Sequence, residues 1–299
     1  YTHLQQAQAV PLAHHLLAYG WMLMRDRGRF TDVAGRLDES PLGAGAGGGS
    51  SLPLDPGAVA DALGFGTVFA NSMDAVASRD VAAEFVFCCA QATAHLSRLA
   101  EEIVMWATTE FGWARLPDAF ATGSSALPHK KNPDIAELVR GRAAALQGDV
   151  VAILGLQKGL PLTYNRDLQE DKRLVFHADD TFAGCVEALG ALVRTTDLDP
   201  PEPSGWVGAL DLAEALVLRG VPFREAHHAV GRVVAALVAH ERSPESLTMD
   251  DLRIADRRFT ADDVGLLTRK GSVGRRATPG GGSPASVRTQ IDRLRLELG

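Results

Sequence analysis

The sequence of 299 residues has few cysteines and few aromatic side chains, and it lacks any apolar run long enough to cross a membrane. A membrane-spanning helix needs about 20 consecutive apolar residues. The three cysteines, Cys88, Cys89 and Cys185, are odd in number and lie in apolar stretches. This pattern favours buried free thiols in a reducing cytosol over a disulfide framework.

An excess of basic residues is also absent. The chain has 30 Lys and Arg against 37 Asp and Glu, a net charge of −7, so it lacks the positive footprint of a nucleic-acid-binding protein. Hydrophobic residues make up 46% and charged residues 22%, which is ordinary for a globular protein. This length is enough for a large core and for one or two domains.

No stretch alternates between apolar and polar residues over a useful length, and helical spacing is found instead. After Ser78, apolar residues recur every three or four positions, which predicts one amphipathic helix of about seven turns. They are Val81, Phe85, Cys89, Ala92, Leu96, Leu99, Ile103 and Trp106. Similar patterns predict long helices over 12–27, 133–156 and 172–193, and shorter ones over 210–219, 224–239, 250–255 and from 284. Long amphipathic helices must cover one another's apolar stripes, so the sequence predicts an all-α bundle.

Two segments interrupt the helical pattern. Residues 41–51 contain five glycines and end in two serines, a composition typical of a flexible linker. Residues 197–204 contain three prolines and are predicted to be a domain boundary. We therefore expect a helical-bundle domain over residues 1–197 and a small C-terminal helical domain over residues 198–299.

The segment 123–134, with the sequence Gly-Ser-Ser-Ala-Leu-Pro-His-Lys-Lys-Asn-Pro-Asp, is the most informative stretch. Asn132 is a favoured helix N-cap, Pro133 suits the first helical position, and Asp134 complements the positive end of a helix. Such a loop would bring hydroxyls and cations to a helix N-terminus, where anions bind readily. The alternative is a solvated basic turn before a helix.

The ordered pattern Gly-Ser-Ser-x-x-Pro-x-Lys-x-Asn-Pro in this segment resembles the signature loop of the fumarase/aspartase superfamily, whose members eliminate fumarate from succinyl-type substrates. Further matches make the chain similar to the argininosuccinate lyase family. They are Thr-His-Leu-Gln over residues 2–5, Asn-Ser-Met-Asp with Ser-Arg-Asp over 71–80, the run from Lys to Lys over 158–172, and Gly-Val-Pro-Phe-Arg-Glu-Ala-His-His over 220–228. The resemblance covers nearly the whole chain.

The resemblance implies a fold and an assembly. The fold is the all-α long-helix bundle of the fumarase/aspartase type, with a small C-terminal helical domain. The assembly is a homotetramer with a twenty-helix core and active sites that draw on three subunits. The implied activity splits argininosuccinate into arginine and fumarate, in arginine biosynthesis in the cytoplasm. The implied partners are the small-molecule substrate and other copies of the chain, without nucleic acid or membrane.

The resemblance also implies which residues carry the chemistry. The implied catalytic residues are Ser124, His3, Glu137, Lys130 and Asn132, and the implied substrate-binding residues are Thr2, Ser125, Arg79, Tyr164, Gln169 and Lys172. Ser124 would act as an alkoxide base, and fixed donors would stabilise the charge that develops on the substrate carboxylate. His3 would deliver the second proton, with Glu137 as the acid that fixes its tautomer. No metal or cofactor is implied.

Two departures from the pattern keep alternatives open. Leu127 stands where methionine is usual, which is a volume-conserving exchange. His129 stands where argininosuccinate lyases usually have glutamine, and histidine there is more familiar in adenylosuccinate lyases and cycloisomerases. The alternatives are therefore adenylosuccinate lyase, another fumarate-releasing activity, or a non-catalytic structural relative.

The chain begins at Tyr1, inside a motif and without an initiator methionine. We expect it to be a fragment that lacks an N-terminal portion. Because that portion contributes substrate contacts in the resembling family, we expect the 299 residues alone to be inactive while their long helices still form.

Overall fold

The structure, a computed structural model, describes the backbone of residues 1–299 and the side chains of all of them except 269 and 270. Helices dominate it, and the predicted all-α class is confirmed. The α-helices are α1 (Leu12–Arg36), α2 (Pro56–Leu63), α3 (Ser72–Ala77), α4 (Asp80–Trp106), α5 (Asp134–Gln157), α6 (Asp171–Thr195), α7 (Ala209–Leu218), α8 (Phe223–Ala239), α9 (Met249–Ala255), α10 (Arg269–Arg275) and α11 (Pro284–Leu298). Among the described residues, no helix is both long enough and apolar enough to span a membrane.

The strands are short, and each contributes only two residues to a two-stranded pair. They are β1 (Glu39–Ser40), β2 (Thr67–Val68), β3 (Ala114–Arg115), β4 (Thr122–Gly123), β5 (Lys131–Asn132) and β6 (Asp197–Leu198). Strand β1 pairs with β2 in parallel, whereas β3–β6 and β4–β5 are antiparallel. Only the β4–β5 pair belongs to a segment that the sequence singled out for function.

Three of the predicted long helices, α4, α5 and α6, lie within a few residues of their expected bounds. Helix α1 is longer than expected and continues past residue 27 to Arg36. Gly28 lies inside this helix, where a glycine costs only about 1 kcal/mol, and packing offsets that cost. Phe30 stacks on Phe182 with ring centroids 5.2 Å apart, and Val33 is buried.

The chain divides into two compact units, Met22–Pro200 and a second unit of Tyr1–Trp21 with Pro201–Gly299. The core of the first unit lies among α4, α5 and α6. Its buried side chains include Val86, Cys89, Leu146, Ile153 and Leu174. The predicted division at residues 197 and 198 stays a prediction, and in this structure residues 1–21 group with the C-terminal helices.

The second unit has a core of its own, formed largely by α7, α8 and α9. Its buried side chains include Leu212, Leu216, Val233, Leu237 and Leu252. The start of α11 is as predicted, because Ser283 accepts a hydrogen bond from the Ser286 backbone and Pro284 occupies the first turn.

The glycine-rich segment 41–51 is a folded loop, so its interpretation as a flexible linker was wrong. The backbone N–H groups of Gly47 and Gly49 both donate to the Ala44 carbonyl, over 3.3 and 3.1 Å. The Ala44 side chain is buried, and Ser72 Oγ donates to the Gly47 carbonyl over 2.8 Å. Composition alone missed these contacts because they include one between the loop and a residue 25 positions further along the chain.

The three cysteines are free and buried in the helices of the first unit. Burial raises the pKa of the Cys88 and Cys185 thiols, and it raises the pKa of Cys89 to about 12. All three thiols therefore stay protonated at neutral pH.

Candidate functional site

The signature segment forms a short hairpin that leads into α5. Strands β4 and β5 pair in a register that sets Thr122 opposite Asn132, and residues 124–130 form the connection between them. At its start, Ser124 Oγ accepts hydrogen bonds from the backbone N–H groups of Ala126 (3.2 Å) and Leu127 (3.1 Å). Two donors aimed at one hydroxyl oxygen would stabilise negative charge on that oxygen.

The start of α5 differs from the prediction, and Asn132 is not its N-cap. The helix begins at Asp134, with Pro133 in the capping position and without a side-chain cap. Asn132 pairs in β5 instead, with its Nδ2 3.5 Å from Thr122 Oγ1. Asp134 Oδ2 accepts the Thr122 N–H over 2.9 Å. The strand pairing competes with capping, and Asp134 uses its carboxylate to brace the hairpin.

The basic side chains of the hairpin face solvent. Lys130 is exposed at the end of the connection, and its backbone N–H donates to the Leu127 carbonyl over 3.0 Å. Lys131 Nζ pairs with Asp118 Oδ1. His129 is also exposed, as is Ser125. The connection of the hairpin therefore carries a hydroxyl that accepts from two backbone donors and, six residues further along, an exposed lysine.

Residues 2–5 form a tight turn that carries two more predicted site residues, Thr2 and His3. Thr2 and Gln5 exchange backbone hydrogen bonds of 3.0 and 2.9 Å. Between them, His3 and Leu4 have φ angles of 52° and 59°. Positive φ at both central residues is the pattern of a type I′ turn, and without glycine each costs about 1–2 kcal/mol. Such strain persists only where surrounding contacts hold the backbone.

Those contacts come from the residues that follow the turn. Gln6 Oε1 accepts the Ser204 backbone N–H over 2.9 Å, and Gln8 Nε2 donates to Ser272 Oγ over 2.9 Å. Ser272 is fully buried and Ala9 is nearly so, at 0% and 5% exposure. The segment that carries His3 is thus anchored on the C-terminal part of its own compact unit.

Two other predicted residues, Arg79 and Lys172, meet at a carboxylate that the sequence interpretation missed. Asp171, the first residue of α6, lies 2.5 Å from Arg79 Nε through Oδ2 and 2.7 Å from Lys172 Nζ through Oδ1. Burial alone would raise the pKa of Asp171, but the hydrogen bonds from Lys172 and Arg79 lower this pKa below its ordinary value. Asp171 is adjacent in the sequence to Lys172, a predicted substrate-binding residue, and this adjacency was the signal that could have identified it.

Tyr164 precedes a short 3-10 helix, Arg166–Glu170, that contains Gln169 and leads into α6, and both side chains are exposed. Thr163 has a φ of 65°, an unusual value for a β-branched residue. Asn165 Nδ2 donates to the Pro161 carbonyl over 2.8 Å and closes the loop. Tyr164 therefore projects from a short loop whose backbone is strained.

Glu137 lies in the first turn of α5 and is exposed. Its Oε1 is 3.8 Å from Arg140 Nη2, and Arg140 also pairs with Glu101 through Nη1. The structure therefore places Glu137 in a surface ion-pair network. Among the residues whose side chains are described, no group of three or more His, Cys, Asp or Glu could hold a metal ion.

Two family models match separate parts of the chain. Residues 1–148 match a family described as Lyase, and residues 206–274 match one described as Argininosuccinate lyase C-terminal. The argininosuccinate lyase of Frankia casuarinae is 51% identical over 99% of this chain and 65% of its own length. That of Anaeromyxobacter sp. strain K is 50% identical over 100% of this chain and 65% of its own length.

Solved structures give the same fold. EDDS lyase in complex with formate superposes with a TM-score of 0.89 at 30% identity, over 100% of this chain and 62% of that one. The 3-carboxy-cis,cis-muconate lactonizing enzyme from Pseudomonas putida has a TM-score of 0.77 at 19% identity, over 100% of this chain and 66% of that one. At that lower identity the likeness concerns the fold alone.

The helical bundle, the signature hairpin and these matches place the chain in the fumarase/aspartase superfamily. Within that superfamily, the chain belongs to the argininosuccinate lyase family. It spans about 65% of the length of the curated relatives it matches. The assignment of individual site residues stays a prediction, because neither the geometry nor the matches test it.

Proposed function

We propose that the protein of which this chain forms part cleaves argininosuccinate to arginine and fumarate. The observation that carries the proposal is the Ser124 hairpin in a chain about 50% identical to argininosuccinate lyases. The reaction breaks a C–H bond beside a carboxylate and the C–N bond to the guanidinium, and it forms the double bond of fumarate. The proton goes to a base of the enzyme, and the guanidinium leaves as arginine.

Ser124 is the proposed base. A serine hydroxyl removes a carbon-bound proton only as an alkoxide, so the enzyme must stabilise negative charge on Oγ. The Ala126 and Leu127 N–H groups, which donate to Oγ over 3.2 and 3.1 Å, support this role because they would stabilise such a charge. Lys130 and Asn132 would add positive charge and a donor when substrate closes the hairpin. Donors fixed in advance cost no reorganisation during the reaction.

His3 is the proposed source of the second proton, given to the departing nitrogen directly or through water. Its turn holds the imidazole outside regular secondary structure, where it is exposed. Glu137 is the proposed partner that sets its tautomer, after release from Arg140. Asp171 would keep the Lys172 ammonium directed while the substrate carboxylates approach. The proposed substrate contacts are Thr2, Ser125, Arg79, Tyr164, Gln169 and Lys172.

Self-association as a homotetramer is part of the proposal, because the bundle helices expose large apolar side chains. These are Phe87, Leu138, Val151, Leu154, Phe176 and Val186, each at least 45% exposed. Such a set exceeds the scattered apolar residues of a monomer surface and fits a second copy of the chain. Light scattering should give a tetramer, with active sites assembled from several subunits. The buried free thiols are compatible with a cytoplasmic role in arginine biosynthesis.

The test uses an extended protein, in which residues 1–299 replace the matched region of the Frankia relative and the remainder of that relative completes the chain. We expect it to release fumarate from argininosuccinate, and we expect residues 1–299 alone to show little or none. The added segment would position substrate, and misplacement by about 1 Å can cost about 10²-fold. An inactive but folded tetrameric extended protein would contradict the proposal and favour a structural relative.

The second candidate substrate is adenylosuccinate, and His129 is the observation that favours it. The same extended protein should be assayed with both compounds. We expect argininosuccinate to be preferred by at least about 10²-fold, the discrimination that a few lost polar contacts produce. Preference for adenylosuccinate would reverse the assignment of substrate while leaving the elimination chemistry in place.

A further inference from the structure

The glycine-rich loop of residues 41–51 is an element that the proposed chemistry leaves unused. Its buried member Gly47 is fixed on two sides. The Gly47 N–H donates to the Ala44 carbonyl over 3.3 Å, and the Gly47 carbonyl accepts from Ser72 Oγ over 2.8 Å. These two hydrogen bonds fix the position of Gly47 within its compact unit.

In this loop, Gly47 packs against Thr163, the residue before Tyr164. A Cβ atom added to Gly47 would lie 2.5 Å from Thr163 Cγ2 and 3.0 Å from its Cβ. Real Cβ atoms essentially never make contacts below 3.0 Å, so any larger residue at position 47 must move Thr163. Gly47 also has a φ of 129°, which other residues rarely adopt. Glycine is required here for its small size and for its backbone conformation.

Thr163 is the strained partner in this contact. Its φ of 65° is unfavourable for a β-branched residue, and a backbone in that region is held by its surroundings. Its hydroxyl donates to the Leu162 carbonyl over 2.6 Å, which leaves the methyl group directed against Gly47. Tyr164 follows immediately and is half exposed, so its direction depends on how Thr163 is held.

We propose that Gly47 and Thr163 form a positioning contact that holds Tyr164 in its substrate-binding conformation. The proposal rests on the function proposed above, since it takes Tyr164 as a substrate contact. Neither Gly47 nor Thr163 has a role in the proposed chemistry. The contact acts on substrate binding, and it should appear in KM more than in kcat.

The test compares Gly47→Ala with Gly49→Ala in the extended protein. Gly49 also has a positive φ, 72°, but an added Cβ there would meet nothing within 4 Å. We expect Gly47→Ala to raise KM for argininosuccinate at least about tenfold with a smaller change in kcat, since displacements of up to about 1 Å have effects of this order. Gly49→Ala should stay within about twofold of the parent.

A double variant separates the steric clash from backbone strain. Thr163→Gly removes both atoms that the Cβ introduced by Gly47→Ala would meet, and glycine tolerates the positive φ of position 163. Because Thr163→Gly also removes the contact itself, it should raise KM on its own, and Gly47→Ala should raise KM by no more than about twofold further in that background, as expected for two residues that act through one contact. A further rise as large as that caused by Gly47→Ala alone, or a KM for Gly47→Ala equal to that of the parent, would overturn the proposal.

Two measurements keep the test independent of folding and of activity. If Gly47→Ala does not fold, Thr163→Ser removes only the methyl group, and it should raise KM severalfold with an unchanged melting temperature. Hydrogen exchange in a peptide covering residues 160–168 should increase in Gly47→Ala and Thr163→Ser but not in Gly49→Ala. This result is expected even if the parent does not cleave argininosuccinate, so failure of the contact and failure of the proposed function are distinguished.

Discussion

The turn that carries His3 and the hairpin that carries Ser124 are held in opposite ways. The turn depends on Gln6 and Gln8, whose partners are 198 and 264 positions away in the chain. The hairpin depends on its own strands and on side-chain contacts that span no more than 13 positions, such as those of Asp134 and Lys131. One element is positioned by a distant part of its unit, and the other is largely self-contained.

This difference affects how each element folds and which substitutions alter it. Local contacts form at low cost in loop entropy, so the hairpin can assemble whenever α5 does. The turn reaches its strained conformation only when the C-terminal helices are folded and docked. Substitutions in those helices can therefore alter a predicted catalytic histidine that they do not touch, whereas the hairpin should respond mainly to changes within residues 118–134.

The largest effect is expected for Ser124→Ala in the extended protein. Loss of the base should reduce turnover of argininosuccinate by at least about 10²–10⁴-fold, the range typical of general acid–base groups. Stability should barely change, because the hydroxyl accepts from two exposed backbone groups that water can satisfy. Fumarate release followed by ultraviolet absorbance measures the loss, and more than a tenth of parental turnover would remove Ser124 from the role.

The second largest effect is expected for Asp171→Asn, which alters the contact with Arg79. This contact spans 92 positions, more than those of the hairpin and fewer than those of the turn. Asp171 is nearly buried, so loss of its charge should destabilise the protein at pH 7 by about 1–3 kcal/mol, the usual contribution of hydrogen bonds to charged groups. Urea unfolding at pH 7 measures this change.

The same variant has a defined pH dependence. Hydrogen bonds lower the folded-state pKa of Asp171, so its contribution is complete above the unfolded value of about 3.9 and is lost as pH falls through the folded value. The difference between parent and Asp171→Asn should therefore shrink below about pH 4. A constant difference across this pH range would show that the carboxylate charge is not responsible.

Gln8→Leu should break the long-range anchor while leaving the hairpin intact. We expect about a tenfold loss of turnover, because His3 loses its fixed position. In a His3→Asn background the further loss should vanish, since a residue that acts through His3 has no effect without it. Gln290→Leu is the matched control, as the Gln290 amide donates to Ser286 in its own helix and to Gly281. Additive losses would show a general structural effect instead.

The smallest effect is expected for Asp134→Ala, which removes the side-chain brace of the hairpin. The Asp134–Thr122 bond is exposed, so global stability should fall by no more than about 1 kcal/mol. Hydrogen exchange of the Thr122 amide should nevertheless quicken, while that of the Gln5 amide stays unchanged. Equal changes at both amides would mean that the two elements are not independent.

The same contrast explains how much could be predicted from the sequence. The long helices follow from apolar spacing, and the stripe from Val81 to Trp106 lies in α4 as expected. Helices α2 and α3 were missed, since 8 and 6 residues show little of a period, although α9, at 7 residues, was predicted. Their N-caps, Asp55 and Asn71, were the available signals.

Within the site, the residue identities came from motifs, but their contacts did not. Asn132 was assigned to a cap because the strand pairing with Thr122 cannot be inferred from local preferences. The contacts of Asp171 with Arg79 and of Gln8 with Ser272 could not be predicted, because in each the two partners lie far apart along the chain. The positive φ angles of His3 and Thr163 run against their intrinsic preferences, and only tertiary contacts can impose them.

The buried thiols give this protein a practical advantage for spectroscopy. Since burial raises the pKa of all three cysteines, to about 12 for Cys89, thiol reagents at neutral pH should react with them slowly. Cysteines introduced at exposed Leu4 and Leu127 could therefore be spin-labelled without removing the natural ones. Distances measured between such labels, in fully labelled protein and in protein mixed with unlabelled chains, would test the proposed tetramer and the proposal that the histidine and the serine of one site come from different copies.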